Sequence, residues 1–121
     1  MKIINGTDIV EIYRIKRDIE TLGDKFLSRI YTENEIKYCE SKKLQKYQSY
    51  AARFAAKEAI YKALSDYIDF EYSWRDFEIL NDETGKPYVK LGIKIKDLEN
   101  LSITLSHCKE YAVANAIAIY K

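Results

Sequence analysis

The stretch of sequence that decides the fold reads Arg53-Phe54-Ala55-Ala56-Lys57-Glu58-Ala59-Ile60-Tyr61-Lys62-Ala63-Leu64. It belongs to a longer segment, residues 43–64, whose composition and spacing predict one long helix. One stripe of this helix is mostly aromatic and small, at helical spacing: Tyr47, Tyr50, Ala51, Phe54, Glu58, Tyr61 and Ser65. The opposite face is alanine: Ala52, Ala56, Ala59 and Ala63. We therefore expect the helix to pack on both sides.

Glu58 lies in the middle of the apolar stripe. A carboxylate in such a place is costly unless it is paired or binds a metal ion. Lys62 follows four residues later, and Arg53 is on the same helix. The plainer interpretation is an i,i+4 ion pair of Glu58 with Lys62, worth about 0.3–0.5 kcal/mol.

The segments around the helix predict an α+β fold, with a helical first half after one strand and then an antiparallel sheet. Alternating apolar and polar residues predict strands at 2–12, 74–80, 87–91, 101–107 and 111–120. Shorter helices are expected at 13–20, 25–31 and 32–40. Thr32 and Glu35 form a capping box that opens the last of these. Residues 107–110 form the tight connection of a hairpin.

Two further polar residues interrupt apolar faces. Asp8 lies between Gly6 and Val10 on one face of the first strand, where an acidic residue is disfavoured. The alternative is an aspartate that caps or turns the end of the strand. His107, next to Ser106, is the only histidine and ends the apolar face of a later strand. A lone histidine is a poor indication of zinc.

Asp8 and Glu58 together indicate a site for one hard cation. Magnesium prefers oxygen ligands and is normally completed by waters and substrate phosphates. Lys62 and Arg53 would then face phosphate oxygens. The residues alone therefore indicate phosphoryl-type chemistry, without identifying the substrate.

Composition excludes several other classes. The chain has 121 residues, which suits a single domain spanning 1–121, and a net charge of +1. A nucleic-acid-binding protein usually has a strong basic excess. No apolar run reaches the ~18 residues of a membrane helix, and the first residues do not resemble a signal peptide. Cys39 and Cys108 are expected to be reduced thiols of a cytoplasmic protein.

Several motifs resemble those of the 4′-phosphopantetheinyl transferases of the holo-acyl-carrier-protein synthase type. They are residues 6–15, 53–64, 76–79 with 85–87, and 105–107 with 111–114, and the segment 29–39 is similar as well. The resemblance covers nearly the whole chain. It implies a homotrimer that binds coenzyme A between neighbouring subunits and transfers its 4′-phosphopantetheine group to a serine of apo-acyl carrier protein. The other product would be adenosine 3′,5′-bisphosphate, and the pathway fatty acid biosynthesis.

The resemblance also implies residue roles. Asp8 and Glu58 would bind magnesium, and Lys62 would stabilise the charge that grows on the leaving group. Arg53 and His107 would contact coenzyme phosphates, and Gly85, Lys86 and Pro87 would lie near the adenine. Ser106 would also belong to the coenzyme site. Either a metal-bound water or Glu58 would accept the proton of the attacking serine.

Arg14 and Arg17 are a candidate docking patch for the acidic carrier protein, with Lys16 beside them; the alternative is an ordinary solvated charge run. The chain departs from the family pattern after Leu64. The family usually has a glycine-containing loop there, whereas residues 65–72 contain no glycine. Glycine lets backbone approach a phosphate closely, so this loop puts coenzyme contacts beside Lys62 in doubt.

Two other functions use the same residues. A magnesium phosphohydrolase needs the two acids but no carrier protein. A trimeric scaffold that lost activity through its altered loop would bind the coenzyme without turnover.

Overall fold

The computed structural model describes all residues, Met1–Lys121. The strands are β1 (Lys2–Glu11), β2 (Phe77–Asn81), β3 (Pro87–Leu91), β4 (Leu98–His107) and β5 (Tyr111–Tyr120). The α-helices are α1 (Ile12–Leu22), α2 (Asp24–Ile30), α3 (Glu33–Ser41) and α4 (Lys46–Leu64). This order confirms the predicted α+β class. None of the helices has the length and apolar character needed to cross a membrane.

The strands form two sheets, not the single sheet that we predicted. β1, β5 and β4 form an antiparallel sheet in that order, and β2 pairs only with β3. The chain bends through residues 92–97 after β3, so β3 packs beside β4 without joining its hydrogen-bond ladder. The predicted hairpin of β4 and β5 is confirmed, with His107 opposite Ala112.

Several predicted boundaries differ from the structure, and two of them differ for clear local reasons. Residues Trp74–Asp76 form a 3₁₀ turn instead of the start of β2. Ser73 and Asp76 cap that turn: the Ser73 amide donates to the Asp76 carboxylate over 2.8 Å. The long helix α4 starts at Lys46 and not at Lys43, because Lys43 has a φ of 56°, which a continuous right-handed helix does not allow.

Small residues bring α4 close to the three-stranded sheet. A Cβ atom on Gly6 would overlap the carbonyl oxygen of Ala59, and it would lie 2.9 Å from the amide nitrogen of Ala63. The face of β5 that meets the helix consists of buried alanines and one tyrosine: Ala112, Ala114, Ala116, Ala118 and Tyr120. Gly6 is therefore required for close approach, and the next residue on its face of β1, Asp8, lies against α4.

A fully buried ion pair joins α4 to the rest of the fold. Lys57 Nζ lies 2.9 Å from Glu35 Oε1, and both side chains are 0% exposed. The same ammonium donates to the carbonyl oxygens of Trp74 and Phe77, over 3.1 and 2.6 Å. Glu35 accepts hydrogen bonds from the amides of Ile79 and Thr32 as well. The second of these belongs to the predicted capping box, which the structure confirms.

Substitution of Lys57 by methionine should destabilise the protein strongly. It would leave the Glu35 carboxylate buried without its cation, and breaking a buried pair on one side costs about 3–5 kcal/mol. The free energy of unfolding in urea measures this loss.

The matched control for this experiment is Lys46→Met. Lys46 pairs with Glu40 in a bridge whose side chains are 31% and 46% exposed. Such a pair contributes about 0–1 kcal/mol. Equal losses in the two variants would contradict a special role for the buried pair.

Candidate active site

Asp8, Glu58 and Lys62 come together where β1 crosses α4. Lys62 Nζ lies 3.3 Å from Asp8 Oδ1 and donates to the carbonyl oxygen of Thr7 over 2.8 Å. The i,i+4 ion pair with Glu58, which we considered as the plainer interpretation, is not present; Lys62 pairs across to β1 instead. The structure therefore brings the three predicted residues together, and the alternative of a Glu58–Lys62 pair was wrong.

Asp8 neither caps nor turns a strand end. It lies within β1, opposite Ala114 of β5, in a continuous antiparallel register. Its side chain is 20% exposed, so it is held partly out of water beside the helix.

The two carboxylates repel one another. Burial, together with the charge of Asp8, raises the pKa of Glu58; Lys62 and Arg14 act in the opposite direction. A cation between Asp8 and Glu58 would relieve this repulsion, and oxygen donors suit a hard ion such as magnesium. No cluster of three or more acidic, histidine or cysteine side chains exists to hold a metal. An ion at this pair would therefore take its remaining ligands from water and from a bound substrate.

Arg53 does not lie on the side of Lys62. The two residues are nine positions apart, which at about 100° per residue places them on opposite faces of the helix. Arg53 is 3% exposed, donates to the side-chain oxygen of Asn81, and lies 4.1 Å from the ring centre of Tyr38. Within one chain, Arg53 and Lys62 therefore do not face the same side of α4.

The turn at Gly85, Lys86 and Pro87 lies on the Arg53 side. Asn81 links the two, because its side-chain nitrogen donates to the carbonyl oxygen of Gly85 over 2.9 Å. The cleft there has a volume of about 270 Å³. We call it the Arg53 cleft; it is lined by Asn34, Tyr38, Arg53, Ile79, Leu80, Asn81 and Tyr88. Arg53 Nε is buried in it without a hydrogen-bond partner, so a donor is available for an anion.

Ser106 and His107 form a third location, at the end of the edge strand β4, and both are exposed. His107 lies across β5 from Val10, two strands or ~10 Å away, and Val10 is two residues beyond Asp8 on β1. Within one chain, the predicted coenzyme contacts are therefore divided among three places. These are the Asp8–Glu58–Lys62 cluster, the Arg53 cleft with the turn at residues 85–87, and the end of β4.

Arg14 and Arg17 are both exposed on α1. Arg14 is near the acidic pair: its guanidinium lies 5.9 Å from the ring centre of Phe54 and it lowers the pKa of Glu58. Arg17 follows about one helical turn later. The predicted patch therefore begins at the rim of the site.

Two tyrosines of the glycine-free loop, residues 65–72, stack on aromatic rings elsewhere in the fold. Tyr67 stacks on Tyr120 with ring centres 3.9 Å apart, and Tyr72 stacks on Tyr61 of α4 at 5.5 Å. Beneath the second stack is a cavity of about 200 Å³. We call it the Glu58 cavity; it is lined by Lys57, Glu58, Tyr61, Tyr72, Trp74 and Phe77. Sequence reasoning missed this cavity, since only Glu58 among its residues carried a signal.

Comparisons with known proteins identify the family of the chain. The model of the 4′-phosphopantetheinyl transferase superfamily matches residues 5–116. A holo-[acyl-carrier-protein] synthase of Ruminiclostridium cellulolyticum is 51% identical, over 97% of this chain and 92% of its own. One from Chlamydia pneumoniae is 43% identical, over 98% and 99% of the two chains.

Solved structures are similar over the same length. The holo-[acyl-carrier-protein] synthase of Helicobacter pylori, in complex with coenzyme A, is 32% identical with a TM-score of 0.82; 96% of this chain and 100% of that chain are covered. The corresponding protein of Bacillus anthracis, in complex with coenzyme A (3′,5′-ADP), is 39% identical with a TM-score of 0.75, over 95% and 94%.

In the metal-free protein, substitution of Asp8 by asparagine should lower the pKa of Glu58. The change removes the negative charge that raises that pKa, and it releases Lys62 from its pair with Asp8. A carboxyl NMR titration in the presence of a chelator measures the effect. Glu99→Gln removes a charge from an exposed position on β4 and serves as the control. An unchanged or higher Glu58 pKa in Asp8→Asn would show that the two carboxylates do not interact.

Proposed function

The chain belongs to the 4′-phosphopantetheinyl transferase superfamily, and we propose that the cluster of Asp8, Glu58 and Lys62 is the centre of its holo-[acyl-carrier-protein] synthase activity. The enzyme transfers the 4′-phosphopantetheine group of coenzyme A to a serine of apo-acyl carrier protein and releases adenosine 3′,5′-bisphosphate. The observation that carries the assignment of the site is the meeting of two repelling carboxylates with one lysine at the crossing of β1 and α4.

Asp8 and Glu58 are the residues that would hold magnesium. Their carboxylate oxygens are the right donors, and their mutual repulsion favours a cation between them. When bound, the ion supplies charge neutralisation at the pyrophosphate of the coenzyme. The two side chains are fixed on a strand and a helix that pack backbone to backbone, so they hold their positions during the reaction.

Lys62 acts on the leaving group. The serine oxygen of the carrier protein forms a bond to the β-phosphorus, while the bond from that phosphorus to the bridging oxygen breaks. The electron pair leaves with adenosine 3′,5′-bisphosphate, and the serine proton is released. Negative charge grows on the departing oxygen, and an ammonium beside it is worth more in the transition state than in the ground state. Lys62 is 51% exposed and can turn from Asp8 towards that oxygen.

A homotrimer would complete the coenzyme site. Arg53 and Lys62 of one chain face opposite sides of α4, so a phosphate bound at Lys62 lies away from the Arg53 cleft of the same chain. A neighbouring subunit can supply that cleft, the turn at residues 85–87, Ser106 and His107. The sheet face turned away from α4 supports such an assembly, because large apolar side chains are exposed there: Ile3, Ile9, Val113 and Ile117.

The carrier protein would dock along α1. Acyl carrier protein is acidic, and Arg14 and Arg17 present two exposed cations that begin beside Glu58. Charges of this kind steer association and set its salt dependence. The patch would guide the carrier serine towards the acidic pair.

Mass spectrometry of apo-acyl carrier protein with this enzyme, coenzyme A and magnesium tests the proposal. We expect a gain of one phosphopantetheine that a chelator prevents. Glu58→Gln should lower the rate on the order of 100-fold or more, as for loss of one preorganised electrostatic group. Glu99→Gln, an exposed acid on β4, is the control and should keep the wild-type rate. A wild-type rate in Glu58→Gln, or phosphate release without carrier protein, would contradict the assignment.

Arg17→Glu should raise the apparent KM for the carrier protein by about three- to tenfold and flatten its salt dependence, with kcat unchanged. Arg17 is the cleaner probe of docking, because Arg14 also acts on Glu58. Steady-state kinetics over a range of salt concentrations measures both effects. Lys96→Glu makes the same charge change at an exposed position in the loop before β4. Identical kinetics in the two variants would remove Arg17 from the docking surface.

A further inference from the structure

The Glu58 cavity adjoins the acidic pair but has no role in the scheme above. Its volume of about 200 Å³ is below the roughly 300–1,000 Å³ of sites that enclose a whole ligand. It therefore suits one portion of a larger molecule. Glu58 forms part of its wall, so whatever enters it lies next to the reacting phosphate.

The wall offers no free positive charge. Lys57 is the only cation among its residues, and all three of its hydrogens are used by Glu35 and by the carbonyl oxygens of Trp74 and Phe77. The lysine is also 0% exposed. With Glu58 as the only other charged group, the cavity disfavours a phosphate or a carboxylate and favours a neutral group.

Aromatic rings form the remainder of the wall as a continuous surface. Tyr61 and Tyr72 stack with an interplanar angle of 18°, and Tyr72 contacts Phe77 with ring centres 5.5 Å apart. Trp74 stacks on Phe54 at 5.2 Å behind them. Tyr61 and Tyr72 are 38% and 40% exposed in this structure, so their rings have area left for a ligand to cover. Such a surface binds methyl groups, amide planes and sulfur.

The two halves of coenzyme A differ in charge. The nucleotide half carries the 3′-phosphate, whereas the pantetheine arm is neutral, with two methyl groups, two amides and a thiol. The arm starts at the phosphorus that is transferred. If the pyrophosphate is held at Asp8 and Glu58, the arm begins beside the Glu58 cavity of the same chain, and the charged half is left for the Arg53 cleft of a neighbouring subunit.

We propose that the Glu58 cavity binds the pantetheine arm of coenzyme A, with Tyr61 and Tyr72 as the residues that position it. This inference rests on the proposed function of the Asp8–Glu58–Lys62 cluster. The inference also gives the glycine-free loop a role in binding. Tyr72, at the end of this loop, supplies an aromatic ring that contacts the pantetheine arm, whereas a glycine would offer only its backbone.

The test compares two ligands that differ by the arm. Isothermal titration calorimetry with magnesium measures the Kd of coenzyme A and of 3′,5′-ADP for wild type, Tyr72→Ala and Tyr72→Phe. Tyr72→Ala should weaken coenzyme A about tenfold, equivalent to about 1.4 kcal/mol, and leave 3′,5′-ADP unchanged. Tyr72→Phe keeps the ring and should match wild type for both. Equal effects of Tyr72→Ala on the two ligands, or no effect on either, would overturn the inference.

A second measurement needs no variant. Trp74 is the single tryptophan of the chain and lines the cavity. Coenzyme A should therefore change its fluorescence, while 3′,5′-ADP should not; the same response to both ligands would contradict arm binding here. Failure of the proposed function is distinguishable, because wild-type enzyme would then transfer nothing to the carrier protein whatever the binding data show.

Discussion

The buried pair of Lys57 and Glu35 is the interaction on which the rest of the structure depends. It joins α4 to α3 directly, and to β2 through the carbonyl oxygen of Phe77 and the amide of Ile79. Two charges without any exposure are stable only because every one of their hydrogens and most of their lone pairs have partners. The pair therefore fixes the rotation of α4 about its own axis.

The rotation of α4 determines the direction in which the next residue, Glu58, points. Glu58 follows Lys57 directly, so when Lys57 points into the core Glu58 turns about 100° away, towards β1. Gly6 lets the two backbones touch, and Asp8 meets the helix next on the same face. The acidic pair is thus placed by packing that includes no catalytic group. Site geometry of this kind is held best by rigid elements with their own support.

Much of the fold and the acidic pair could be predicted from the sequence, because both depend on patterns among residues that are close together in the chain. Period-two alternation predicted β1, β3 and β5, the capping box predicted the start of α3, and polar interruptions of apolar faces identified Asp8 and Glu58. The failures concern partners far apart in the chain. Glu35 and Lys57 are separated by 22 residues and Arg53 and Asn81 by 28, and no local pattern reveals such pairs. The Tyr61–Tyr72 stack was missed for the same reason, because it joins a residue of α4 to the end of the loop after it.

A crystal structure of the protein with coenzyme A and manganese would test the central claim most directly. Manganese is an oxygen-preferring substitute for magnesium that an anomalous difference map can locate. The account predicts a manganese peak between Asp8 and Glu58 of one subunit, with the 3′-phosphate at Arg53 of a neighbouring copy. A metal bound away from the two carboxylates, or a coenzyme held within one chain, would contradict it.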